Sequence, residues 1–219
     1  MIGNAMMPAM IESVLNRLET NQADRVARLS EYLAIPSVST DPQYKADVER
    51  AARFTADQLA ACGLAVEIRP TGGHPVVLAK TPEQQPGPRA LFYGHYDVQP
   101  PDPIGKWTTP PFEPTERQGA IYARGASDDK GQVACFIEAL RAWHDAHGRI
   151  PANLTVMIEG EEECGSVHLD AFIDEHADEL KADLAIVSDT AMWDTPGSGK
   201  PGAPAITYAL RGLLYFDIK

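Results

Sequence analysis

The sequence predicts an α/β fold: a sheet with helices on both faces. Short apolar runs of strand length recur at 64–68, 76–79, 90–93, 154–158 and 184–187. Segments whose apolar residues repeat at three- and four-residue steps alternate with them, and Gly, Pro and Asp punctuate the joins.

The first 36 residues read as helix, from Ile11, Val14, Leu15 and Leu18 and then Val26, Leu29 and Leu33, until Pro36 ends the pattern. Asp41-Pro42 has the form of a cap with proline at the first helical position. Val48, Ala51, Ala52, Leu59 and Cys62 carry the next helix to Gly63. Strands are expected at Leu64–Ile68, Val76–Ala79 and Ala90–Tyr93, with turn chemistry over Thr81–Pro88. The proline-dense stretch Gln99–Pro114 holds Trp107 and Phe112, which predicts an ordered loop that packs its own side chains. Ile121–Tyr122 is a short strand, and Asp129–His144 a helix with Val133, Phe136, Ile137 and Leu140 on one face. Leu154–Ile158 is a buried strand, Val167–Ala177 a helix and Leu184–Val187 another strand. Ala205–Leu210 and Leu213–Ile218 are strand-like, and Lys219 ends the chain without turn or polar tail, which reads as a truncation.

At 219 residues the chain has the length of one large domain or two small ones. Its 44% hydrophobic and 23% charged residues are ordinary for a globular protein and exclude disorder. A formal charge of −12 repels phosphate backbones and anionic bilayers, so nucleic acid and membrane are set aside as partners. No apolar run approaches the ~20 residues of a membrane span. The N-terminus has no basic start, which argues against a secretory signal. Cys62, Cys135 and Cys164 are odd in number and lack Cys-x-x-Cys spacing. A cytoplasmic protein without disulfides is expected.

Four polar clusters follow or adjoin the predicted strands, where α/β sheets bind ligands. In Gly94-His95-Tyr96-Asp97 the histidine and the aspartate are two apart. On a strand they share a face, so the carboxylate can support the imidazole as it does behind metal ligands. Asp128-Asp129 precede an apolar helix among small residues. As helix-start acids alone they would contribute up to ~1 kcal/mol, and the small residues also suit close approach to a ligand. Glu159-Gly160-Glu161-Glu162-Glu163 concentrates carboxylates directly after a buried strand, where they repel one another unless a cation binds or some are protonated. Ser188-Asp189-Thr190 closes the set. One imidazole with several carboxylates suits zinc, manganese or cobalt better than calcium, and the lack of thiolate pairs argues against structural zinc.

In order and spacing, Gly94 to Pro100, Trp107 with Pro111-Phe112-Glu113-Pro114, Arg124 to Gly131, and Glu159 to Ser166 resemble one family. It is the di-zinc metallopeptidase family of carnosinase, acetylornithine deacetylase, succinyl-diaminopimelate desuccinylase and glutamate carboxypeptidase. The continuation Asp97-Val98-Gln99-Pro100 and the tryptophan–proline loop are most similar to the carnosinase-type dipeptidase branch. The resemblance implies a mixed, mostly parallel sheet flanked by helices. Residues 1–205 would be the N-terminal part of the catalytic domain and 206–219 the start of a truncated lid or dimerisation domain.

It also implies roles. His95 resembles a zinc ligand and Asp97 its supporting acid. Asp128 corresponds to the carboxylate bridging two divalent ions, zinc first, with manganese or cobalt as alternatives. Glu162 corresponds to the general acid/base, Glu163 to the second ion's ligand, and Asp189 to a further ligand beside His95. The bond between Asp128 and Asp129 is expected to be cis. The implied reaction is hydrolysis of the amide bond of dipeptides or small peptides. A deacylase of N-acyl amino acids and a non-catalytic metal-binding fragment are the alternatives. The family's C-terminal histidine ligand has no counterpart before Lys219, the lid is only entered at Tyr208-Ala209-Leu210-Arg211-Gly212, and His74, His144, His147, His168 and His176 match no ligand position. Weak or absent hydrolysis by the isolated chain is therefore expected, with a homodimer for the full-length parent.

Overall fold

The structure is a computed structural model that describes residues 6–190 together with 205–209, 212, 214 and 216. The chain divides into two units, Met1–Ser188 and Asp189–Lys219. The expected strands at 205–210 and 213–218 fall in the second unit. Its described residues there have no regular secondary structure, and the rest lie outside the described residues.

In the first unit, α1 (Met6–Thr20) and α2 (Gln22–Leu33) replace the single N-terminal helix. The break falls at Asn21, whose ψ of 25° is not helical. Both halves keep the predicted apolar spacing, so the periodicity alone did not reveal the joint. After a 3₁₀ turn at Pro42–Tyr44, capped by the Asp41 carboxylate on the Gln43 N–H, α3 runs Lys45–Ala60. Strands β1 (Ala65–Arg69), β2 (Val76–Lys80) and β3 (Arg89–His95) follow. Next come a hairpin of β4 (Thr115–Arg117) and β5 (Ala120–Tyr122), α4 (Lys130–His147) and β6 (Asn153–Glu159). Two short helices, α5 (Leu169–Glu175) and α6 (Ala177–Leu180), lead to β7 (Leu184–Val187). The expected helix over 167–177 is thus two, parted at His176.

The sheet order is β1-β2-β6-β3-β7. β3 is parallel to both β6 and β7, whereas β2 is antiparallel to β1 and to β6. Four strands therefore run one way and β2 alone runs against them, a mixed and mostly parallel sheet. Period-two alternation divides the side chains between two cores. Val77, Ala79, Phe92, Val156 and Ile158 pack with residues of α3 and α4, among them Val48, Leu59, Val133 and Ile137. Val76, Leu78 and Met157 pack on the other face with Phe172 of α5 and Leu180 of α6, joined by Leu91 and Tyr93. Arg28 of α2 forks onto both Glu138 oxygens at 2.7 Å and ties α2 to α4. No helix among the described residues is long and apolar enough to cross a membrane.

The 99–114 segment is ordered by its own contacts, as expected. Trp107 Nε1 donates to the Pro101 carbonyl at 2.7 Å, and the Arg124 guanidinium lies 5.5 Å from its ring centre. The Asp102–Pro103 bond is cis.

Candidate metal centre

β3 and β6 pair in parallel with His95 opposite Glu159, so the first and third polar clusters leave the sheet at the same end. Close packing fixes both exits. A Cβ on Gly94 would lie 2.7 Å from Asp129 Oδ2 and 2.8 Å from Val133, and one on Gly160 would collide with the Tyr96 ring. Only glycine lets the helix start and the tyrosine approach these strands so closely.

The His95 ring is fully buried. Its Nδ1 lies 3.1 Å from the Asp97 carbonyl and 3.2 Å from Asp97 Oδ1. Its Nε2 faces Asp128 Oδ1 at 3.0 Å and Glu162 Oε2 at 3.9 Å. One nitrogen is thus oriented from behind, and the other is presented to two half-open carboxylates. Burial alone would depress the pKa of this imidazole. The Asp97 hydrogen bond and the charges of Asp97, Asp129 and Glu162 outweigh burial and push it up to about 10. A site that holds a proton so firmly is one where negative charge has been concentrated around an N/O donor set. That donor set fits a divalent transition metal.

Asp97, also fully buried, has a second task. Its Oδ1 accepts the Glu162 N–H at 3.3 Å and its Oδ2 the Glu163 N–H at 3.0 Å. A single carboxylate therefore fixes both the imidazole and the 3₁₀ turn Glu162–Cys164. Glu163 turns toward Gln99, whose Nε2 donates to its Oε2 at 2.8 Å. Burial, opposed by Gln99 and reinforced by the Asp128 charge, raises the Glu163 pKa. Asp128 precedes α4 through a cis bond to Asp129, and Asp129 Oδ2 accepts the His95 N–H at 3.0 Å. The structure thus gathers His95, Asp97, Asp128, Glu162 and Glu163 at one end of the sheet. Asp189 follows Ser188, whose N–H bonds the Tyr93 carbonyl beside β7, and is the first residue of the second unit.

Several supporting residues carry no role in the sequence reading. Glu159 Oε1 accepts from the Tyr93 hydroxyl at 2.6 Å and the Ser166 hydroxyl at 2.9 Å, closing the acidic loop across its base. His168 Nδ1 lies 2.9 Å from buried Glu161 and anchors the same loop. Lys130 is wholly buried, and burial pushes its amine down to about 7. Its position was signalled: 130, 133, 137 and 140 share one apolar helical stripe. A concavity of about 500 Å³ lies elsewhere, along the 99–122 segment between Lys106, Trp107, Arg117 and Tyr122, and includes none of these site residues.

Comparison with known proteins shows the family. The chain is 33% identical to human Beta-Ala-His dipeptidase over 97% of its own length and 44% of that protein's. It is 32% identical to the Cys-Gly metallodipeptidase dug1 of Schizosaccharomyces pombe over 97% of its length and 46% of that protein's. The crystal structure of human carnosine dipeptidase 1 superposes with a TM-score of 0.78 at 33% identity, covering 84% of this chain and 42% of that one. The chain therefore spans less than half the length of these relatives. The profile of "Peptidase family M20/M25/M40" matches residues 91–207, more than half of the chain and the stretch that holds every candidate ligand, and the chain belongs to that family.

Proposed function

We propose that this chain is the metal-binding part of a metal-dependent hydrolase that cleaves the amide bond of dipeptides or small peptides. The observation that carries the reading is the two-sided environment of His95: Asp97 behind Nδ1, and Asp128 with Glu162 before Nε2. The names of the two relatives given above, both dipeptidases, point to the substrate class, although a succinyl-diaminopimelate desuccinylase of Bordetella avium is also 33% identical over 83% of the chain.

His95, Asp128, Glu163 and Asp189 would hold two divalent ions, zinc first, with Asp128 shared. When bound, such ions lower the pKa of water and stabilise charge on the carbonyl oxygen. Glu162 is the general base and then the general acid. Its carboxylate takes a proton from the attacking water, the resulting hydroxide adds to the amide carbonyl carbon, and the same proton passes to the nitrogen as the C–N bond breaks and the amine departs. Asp97, behind Nδ1, orients the imidazole so that Nε2 is the nitrogen presented to Asp128 and Glu162. Residues 1–205 belong in this reading to the catalytic domain and 206–219 to the entry of a lid that dimerises the whole protein. The free thiols of Cys62, Cys135 and Cys164 accord with a reducing cytoplasm.

The test pairs metal binding by the 219-residue chain with turnover by the full-length protein. Zinc or manganese should bind the chain, and His95→Ala or Asp128→Ala should abolish binding. In the full-length protein Glu162→Gln should retain the metal and lose roughly 10²–10⁴-fold in kcat on dipeptides. Hydrolysis of N-acyl amino acids but not of dipeptides would overturn the substrate assignment. Binding indifferent to both substitutions would overturn the site.

A further inference from the structure

Lys130 touches none of the atoms that would hold a metal, yet it is the most deeply buried cation near them. It is the first residue of α4, two positions after Asp128. Its Nζ donates to the Ile35 carbonyl at 2.6 Å and the Tyr32 carbonyl at 3.1 Å, and lies 5.1 Å from the centre of the Tyr32 ring. The Tyr32 carbonyl lies in the last turn of α2 and that of Ile35 two residues past its end, where the helix dipole is negative. Each accepts a backbone N–H, from Ile35 at 3.2 Å and from Ser37 at 2.9 Å, and Lys130 supplies a second donor to each. Lys130 thus caps α2 from the start of α4.

The chain leaving α2 then meets the strand segment that bears the histidine. The Ser37 hydroxyl donates to the Tyr96 carbonyl at 2.7 Å, the Val98 N–H donates to the Ser37 carbonyl at 3.0 Å, and Val38 bridges Val98 in parallel. Ser37 and Val38 are themselves buried. Residues 32–38 therefore form a strut, bonded on one side to the segment carrying His95 and Asp97 and on the other to the helix start carrying Asp128. The direct Asp129–His95 bond spans the same gap by a second route.

We propose that Lys130 is a positioning residue. Through the 32–38 strut it sets the separation between the His95 imidazole and the Asp128 carboxylate, and so the affinity of the site for a divalent cation. The inference rests on the metal-centre reading above and adds to it a group outside the donor set. The geometry requires two N–H donors at Nζ, which the amine supplies in either protonation state. Each carbonyl also accepts a backbone N–H, so an apolar side chain would not orphan them but would remove the link that ties the strut to the start of α4 and leave a second lone pair on each unmet.

The experiment titrates the 219-residue chain with Co²⁺, read by its visible absorption, for wild type, Lys130→Met and Ser37→Ala. Leu59→Val serves as the control, a core change in α3 at a side chain that makes none of the strut's hydrogen bonds. Each metal-free variant is also melted. Lys130→Met and Ser37→Ala should each weaken Co²⁺ by roughly tenfold or more and alter the absorption envelope, as loss of supporting contacts behind metal ligands does. Leu59→Val should lower the melting temperature with the affinity unchanged. If Lys130→Met does not fold, Ser37→Ala decides. Wild-type affinity and spectrum in the folded strut variants, or equal weakening by Leu59→Val, would overturn the positioning role while leaving the metal centre intact. Failure of the wild-type chain to bind Co²⁺ would instead overturn the metal centre itself, and this inference with it.

Discussion

At the scale of single residues, the site depends on groups that do two things at once. Asp97 orients an imidazole and holds two backbone N–H groups of the acidic turn, so its loss would disorganise both. Small residues matter for the opposite reason, because nothing larger fits. Gly131, the second residue of α4, shows the sign most clearly. In an open helix, Gly→Ala gains up to about 1 kcal/mol. Here a Cβ would collide with the Ala126 carbonyl, which as backbone cannot rotate away. Gly131→Ala should therefore destabilise the fold by about 1–3 kcal/mol, read from its urea midpoint. Gly105→Ala, with nothing within 4 Å of the added carbon, should not. How legible these residues were varied with distance along the chain. His95 and Asp97 were readable because a two-residue step on a strand is local. The partners of Lys130 lie 95 and 98 residues away, and only the oddity of a lysine on an apolar stripe hinted that it had any.

At the scale of elements, strongly periodic segments were legible and joints were not. α3, α4, β3 and β6 emerge from apolar spacing. The break at Asn21 left that spacing intact on both sides, so no pattern marked it. β4 is three polar residues, Thr115-Glu116-Arg117, and is a strand only because β5 pairs with it across the Gln118-Gly119 turn. α6 is likewise too short to announce itself, and it is placed by the burial of Leu180 together with ion pairs. Its Glu179 pairs with Arg69 of β1 and lies 2.5 Å from Lys80 Nζ of β2. The Arg69 hydrogen bond, against some burial and with help from Lys80, lowers the Glu179 pKa from 4.5 to about 2. A depressed carboxylate stabilises the folded state above its unfolded pKa, and that contribution is lost as pH falls through the folded value. Glu179→Gln should thus melt below wild type at pH 6, and the gap should close between about pH 4.5 and pH 2. A gap constant with pH would assign the effect to packing.

At the scale of the whole molecule, a division of labour follows from the sheet. Its direction was foreseeable in outline, since strands joined through helices run parallel. The reversal of β2 was not, because nothing in Val76–Lys80 distinguishes a strand that runs against its neighbours. With β3 and β6 parallel, His95, Asp97, Glu162 and Glu163 lie at or just past their carboxyl ends, and Asp128 is brought to the same end by the start of α4. The 81–88 turn joins β2 to β3 at the other end, where Lys80 pairs with Thr155 near the start of β6. Glu83 and Gln84 within it are exposed. That rim can be lengthened at the modest entropic cost of a longer loop. A flexible epitope tag grafted between Glu83 and Gln84 should leave Co²⁺ affinity within about twofold of the parent and cost little in melting temperature, so the molecule offers a handle for immobilisation on the side remote from its ligands.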